Sequence, residues 1–93
     1  MIFESKRSEA DIINKILIET KDGIKKTHLM YKANMSNTQL DRYLKKLIDQ
    51  QFIVERVNEN DGTKFYLTEK GEQLDTAFQQ VFNILNQSIK KEY

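Results

Sequence analysis

Six basic side chains, Lys25, Lys26, Lys32, Arg42, Lys45 and Lys46, stand against one acid, Asp41, between residues 25 and 46. Cations at that density suit the neutralisation of a phosphate backbone, because each contact releases a condensed counterion. Spacing adds a second kind of chemistry. Arg42 follows Thr38 by one helical turn, and a guanidinium fork can take both acceptors on the major-groove edge of guanine. The amides of Asn37 and Gln39 carry the matching donor and acceptor for adenine, if either side chain turns inward. Lys45 and Lys46 lie behind Arg42, while Lys25, Lys26 and Lys32 flank the run and can take phosphates. Thr27 and Ser36, short hydroxyl side chains at expected helix starts, complete the set.

Downstream the sign reverses. Residues 49–61 hold Asp49, Glu55, Glu59 and Asp61 against Arg56 alone. The total, 15 Lys and Arg against 14 Asp and Glu, is therefore a sum of unlike segments. A net charge of +1 by itself argues against a polyanion partner, but the distribution argues for one.

Other chemistries find little support. Zero cysteines exclude a disulfide framework, a thiol nucleophile and cysteine-based zinc sites, and one histidine leaves no cluster for a catalytic metal. Acid pairs such as Asp41 with Asp49 fall on an exposed face with no implied pocket, and no nucleophile–base pairing or phosphate loop occurs. No catalysis, cofactor or small-molecule ligand is therefore expected. No apolar run reaches the ~18 residues of a membrane span, and Met-Ile-Phe-Glu-Ser-Lys-Arg at the N-terminus lacks the apolar core of a signal peptide. The expected location is the cytoplasm, on the nucleoid.

The elements that must position these side chains follow from capping and periodicity. With 93 residues there is room for one domain, and scaling of surface with mass leaves about 65% of it buried, a thin core. Three Gly and no Pro favour helices over a many-stranded sandwich. Ser8 and Asp11 form a capping-box pattern before a helix over 9–20, with Ile12, Ile13, Ile16 and Leu17 on one face and Gly23 ending the unit. A short helix fits 27–33, capped by Thr27, with Leu29, Met30 and Ala33 inward and Asn34 in a left-handed turn. Ser36 and Gln39 form a second capping box, opening a helix over 36–50. Its Leu40, Leu44, Leu47 and Ile48 turn one way, while Thr38, Arg42, Lys45, Lys46 and Asp49 turn the other. Tyr31 and Tyr43 read as residues at the edge of the core, and His28 as a surface residue. The period then becomes alternating over 53–57 and 64–67, two strands around an Asp61-Gly62 turn. Thr68 caps a last helix reaching 91, with Gly71 inside it at a cost of about 1 kcal/mol relative to Ala.

Two helices across a short turn, the second with a basic stripe, make a helix-turn-helix, and a hairpin directly after it makes a wing. The expected fold is mainly α with a small β-hairpin, a single domain with residues 8–67 forming the helix-turn-helix and wing and 68–91 the C-terminal helix. The segment Thr27-His-Leu-Met-Tyr-Lys-Ala-Asn-Met-Ser36, then Gln39-Leu-Asp-Arg-Tyr-Leu44, then Tyr66-Leu67-Thr68-Glu69-Lys70-Gly71, resembles the small archaeal winged-helix proteins that include chromatin-associated dimers and predicted transcriptional regulators. That resemblance covers roughly residues 8–90. It implies binding of double-stranded DNA by a dimer joined through the C-terminal helix. One departure stands out: the tip of the wing carries Glu59 and Asp61, so only Arg56 and Lys64 at its base can reach a DNA backbone.

The last helix points to a dimer independently. Leu74, Ala77, Phe78, Val81, Phe82, Ile84, Leu85 and Ile89 span an arc of roughly 160°, wider than the ~100° apolar face that a small body covers. A second copy is the simplest cover for it. A winged-helix module that binds protein rather than DNA remains the alternative that the near-neutral charge keeps open.

Overall fold

The computed structural model describes residues 8–91, with side chains through residue 87. The N-terminal segment considered above as a signal and the side chain of Ile89 lie outside the described residues. The chain runs α1 (Glu9–Glu19), α2 (Lys26–Ala33), α3 (Asn37–Asp49), β1 (Ile53–Asn58), β2 (Gly62–Leu67) and α4 (Glu69–Lys91). Both capping boxes form. Ser8 Oγ accepts from Asp11 N at 3.1 Å, and Ser36 Oγ accepts from Gln39 N at 3.2 Å. The start of α2 differs from expectation. Lys25 occupies the cap with no side-chain bond, and Thr27 falls inside the first turn rather than before it.

The three short helices close around Ile16, Leu17, Leu29, Ala33, Met35, Leu40, Leu44 and Leu47, and Ile53 and Phe65 seal the core from the hairpin. Asn34, at φ 55°, makes the left-handed corner between α2 and α3, and Met35 of that turn is itself a core residue. α3 ends in the same way. Gln51 N donates to Ile48 O at 2.9 Å and Phe52 N to Leu47 O at 2.8 Å, with Gln51 at φ 68°. That is the Schellman pattern, with glutamine where glycine usually stands.

β1 and β2 pair antiparallel from Ile53↔Leu67 to Asn58↔Gly62, leaving Glu59, Asn60 and Asp61 as the tip. The strands are longer than the alternation suggested, because Asn58 Oδ1 accepts from Asn60 N at 3.1 Å and Gly62 takes φ 80°, extending the ladder to the turn. A further strand contact was not legible. Ile24 bridges Phe65 through bonds of 3.1 and 2.9 Å, tying the α1–α2 connection to the outer side of β2. Gly23 permits this with φ 89°, where a Cβ would overlap the Tyr66 ring.

α4 packs Leu74 and Phe78 onto the core and continues beyond it, at about 1.5 Å per residue. The chain is accordingly elongated, 53 × 30 × 21 Å. Asp75, on the same helix, is buried, and Lys21 Nζ, from the connection after α1, meets it at 3.3 Å.

Candidate nucleic-acid interface

α3 is seated by its apolar side. Leu40, Leu44 and Leu47 are buried, Tyr43 and Ile48 half-buried, and the opposite stripe of Thr38, Arg42, Lys45, Lys46 and Asp49 is exposed. Only the turn Asn34-Met35-Ser36 separates it from α2, whose Leu29 and Ala33 pack on the same core. The stripe therefore faces outward on a helix held along its whole length.

The cations on and around this face are not equivalent. Lys26 is ion-paired with Asp41, which ties the start of α2 to α3. Lys45 reaches Asp49 at 3.6 Å, an exposed i,i+4 pair of the kind worth about 0.3–0.5 kcal/mol, easily exchanged for a phosphate. Lys25, Lys32, Arg42 and Lys46 make no ion pair among the described residues. Arg42 and Lys46 share a small recess with Glu9 and Tyr43, where α1 begins alongside α3.

The two candidate adenine readers separate. Gln39 Oε1 accepts from Ser36 N at 3.3 Å, so its amide is engaged in the cap. Asn37 and Thr38 are exposed on the first turn of α3 with no such engagement among the described residues. Ser36 holds Gln39 N with its own hydroxyl. Thr27 is exposed, one turn before Tyr31 on α2.

In the wing, Arg56 and Lys64 are register partners and project on the same side of the hairpin. Arg56 lies over the Tyr66 ring at 5.9 Å, and Lys64 reaches Asp61 at 3.6 Å. The acids of the tip thus draw on one of the two cations at its base.

The proposed dimer residues divide as well. Leu74 and Phe78 are partly used by the domain's own core, and Phe82 stacks on Phe78 with ring centroids 6.0 Å apart. Val81, Ile84 and Leu85 are 51%, 62% and 51% exposed, and Ala77 is exposed beside them. Ala77, Val81 and Ile84 repeat at spacings of four and three, the spacing at which apolar residues share one helix face.

A junction at the far end of α3 joins residues distant in sequence. Thr68 Oγ1 shares its single proton between the carbonyls of Gln51 and Phe52, at 2.6 and 3.0 Å, and accepts from Gly71 N at 3.0 Å. Lys70 Nζ donates to Gln50 O at 2.8 Å and lies over the Phe52 ring at 4.7 Å. The Thr-Glu-Lys-Gly run is thus a clasp on the C-terminus of α3, where a cation also meets the negative end of the helix dipole. Among the described residues no group of His, Cys, Asp and Glu is placed to hold a metal ion, and no helix is long and apolar enough to cross a membrane.

Comparison with known proteins agrees with this geometry. A profile of the winged helix-turn-helix family matches residues 6–86. An uncharacterised protein of Methanocaldococcus jannaschii is 35% identical over 82 residues, covering 87% of this chain and 79% of its own. Among solved structures, Sso10a-2, a DNA-binding protein from Sulfolobus solfataricus, superposes with a TM-score of 0.78 at 21% identity, over 92% of this chain and 90% of that one. MepR, a transcription regulator of the Staphylococcus aureus multidrug efflux pump MepA, gives 0.78 at 17% identity, over 90% of this chain and 62% of its own. At such identities the two structures establish the shared fold, and the chain spans less than two thirds of MepR.

Proposed function

The chain belongs to the winged helix-turn-helix family, and from that premise we propose that it binds double-stranded DNA with α3 in the major groove, as a transcriptional regulator or a small architectural factor. The observation that carries this is the division of α3, with Leu40, Leu44 and Leu47 buried and Thr38, Arg42, Lys45 and Lys46 exposed on the opposite stripe. Arg42 is the base reader of this reading, with Asn37 and Thr38 ahead of it at the end of the helix that enters the groove first. Lys25, Lys32, Lys45 and Lys46 neutralise phosphates, and Thr27 and Ser36 lie beside them. Lys26 acts mainly by holding Asp41, and Gln39 by capping. Arg56 and Lys64 offer a secondary contact at the base of the wing.

The working unit in this proposal is a homodimer joined along Ala77, Val81, Ile84 and Leu85, with Phe82 and Ile89 at the margins and Leu74 and Phe78 anchoring the helix to each body. Two copies of α3 then read half-sites about one helical turn, ~34 Å, or a multiple of it apart. The protein acts on the nucleoid in the cytoplasm and performs no catalysis.

A binding titration against salt, on random and on genomic DNA, tests the reading. Affinity is expected to fall steeply as salt rises, and Arg42→Ala is expected to lower binding to a preferred site more than Lys32→Ala does. Absence of binding even at ~50 mM salt, where phosphate contacts are strongest, would reject DNA as the partner and favour a protein-binding module. A preference of roughly 10³-fold for one site marks a regulator, and its absence an architectural protein.

A further inference from the structure

Tyr31 was expected at the edge of the core, and the structure overturns this. The residue is 88% exposed, more than any other large hydrophobic residue among those described. The reason is angular. Leu29 and Ala33 occupy the inner side of α2 and Met30 its flank, and at about 100° per residue Tyr31 is carried to the opposite side with Thr27. Tyrosine is a mediocre helix former, and at this exposure it contributes almost no burial. Among the described residues no hydrogen bond or ring contact uses the ring or its hydroxyl.

Its surroundings suggest what does. Thr27, Met30, Tyr31, Asn34, Met35 and Ser36 line one open notch between α2 and the turn into α3. Its lining combines two methionines, Met35 buried and Met30 half-buried, with hydroxyl and amide side chains, and includes no carboxylate. The notch ends where α3 begins, directly beside Asn37 and Thr38. Lys32 follows Tyr31 in sequence, and it and Lys25 make no ion pair among the described residues.

We propose that this notch seats the sugar–phosphate backbone of one DNA strand at the edge of the groove that α3 enters, with the Tyr31 ring against deoxyribose and its hydroxyl donating to a phosphate oxygen. The proposal rests on the DNA reading and adds an uncharged backbone contact to it. A strand edge alternates apolar sugar with acceptor-only phosphate, which matches a Met-lined recess carrying Tyr and Thr hydroxyls. The contact fixes the register of α3 without releasing a counterion, so it differs in kind from the lysine contacts.

That difference provides the test. Full-length wild type, Tyr31→Phe, Tyr31→Ala, Lys32→Ala and Arg42→Ala are titrated with one duplex across a salt series, with thermal melts alongside. Tyr31→Phe is expected to weaken binding about 3–10-fold, the worth of one hydrogen bond, with an unchanged salt slope. Tyr31→Ala is expected to weaken it further, again with an unchanged slope. Lys32→Ala is expected to lower the slope by about 0.9. Because Tyr31 is so exposed, both Tyr variants should melt with wild type. The proposal is overturned if Tyr31→Ala binds as wild type while Arg42→Ala is impaired, or if its loss is matched by a fall in melting temperature. Failure of the DNA reading itself would look different, since the wild type would then not bind.

Discussion

Replacing Gly71 by alanine opposes helix propensity to the junction between α3 and α4. Propensity alone favours the change by about 1 kcal/mol, because Gly71 lies inside a helix. The structure reverses the sign. A Cβ at residue 71 would overlap the Phe52 carbonyl oxygen and would stand 2.5 Å from Leu67 Cδ1. The carbonyl is backbone and already accepts from Thr68 N at 3.1 Å and Thr68 Oγ1 at 3.0 Å, so it cannot simply rotate away. Relief requires lifting the first turn of α4 off the end of α3, which strains the Thr68 bonds and the 2.8 Å bond from Lys70 to Gln50 O. Two such bonds lost at about 0.5–1.5 kcal/mol each, against the propensity gain of about 1, leave a deficit of 0–2 kcal/mol. Residual overpacking adds about 1 kcal/mol or more. Gly71→Ala should therefore destabilise by about 2 kcal/mol, a fall in melting temperature of roughly 10 °C for a domain of this size. Thermal and urea melts are compared at one protein concentration, since a dimer's stability depends on it. A variant that melts at or above wild type would refute the close approach of α4 to Phe52.

Three other perturbations bear on separate parts of the chain. Gln51→Gly relieves a left-handed residue at φ 68° and should stabilise by about 0.5–1 kcal/mol, read in the same melts. An unchanged or lower midpoint counts against the Schellman geometry at this position. Ile84→Asp places a charge on the exposed face of α4, and sedimentation at micromolar protein should show a dimer for wild type and a monomer for the variant. Identical masses would remove Ile84 from the interface. Glu59→Gln should change DNA affinity by less than twofold if the acidic tip of the wing stays clear of phosphate, and a large gain in a binding titration would place the tip against the backbone.

What could be read from the sequence was whatever local rules determine. Ser8 with Asp11, and Ser36 with Gln39, form capping boxes in which a side chain bonds a backbone group three residues away, so the starts of α1 and α3 were legible from spacing. The left-handed Asn34 and the hairpin bend at Gly62 were legible because few residues tolerate their backbone angles, although Gly62 proves to be the first residue of β2 and the tip is Glu59–Asp61. The missing features depend on partners distant in sequence. Ile24 pairs with Phe65, Thr68 with Gln51, and Lys70 with Gln50, and no periodicity announces such contacts. Lys26 shows the same limit at the interface. Its charge counted fully in the composition, but the fold brings Asp41 to it across the turn. Tyr31 failed for a subtler reason. An aromatic residue in a short helix is ordinarily core, yet Leu29 and Ala33 had already filled the inner side of α2.

The clasp also bears on why a chain with so thin a core can present α3 rigidly. A helix that reads base edges must hold its side chains to within a fraction of a hydrogen-bond length, and each degree of freedom left in the helix is lost on binding. Here α3 is secured at both ends by different means. The Ser36–Gln39 box closes its N-terminus, while Thr68 and Lys70 bond the carbonyls of Gln50, Gln51 and Phe52 beyond its C-terminus. Three leucines secure the middle. The second attachment comes from the first turn of α4, the same helix whose far half carries the uncovered Val81, Ile84 and Leu85. The outer part of α4 is thus linked to the end of α3 through a continuous helix and the hydrogen bonds of Thr68 and Lys70. In a pair joined along α4, the separation of the two reading helices would follow from the helix backbone itself rather than from a flexible connection.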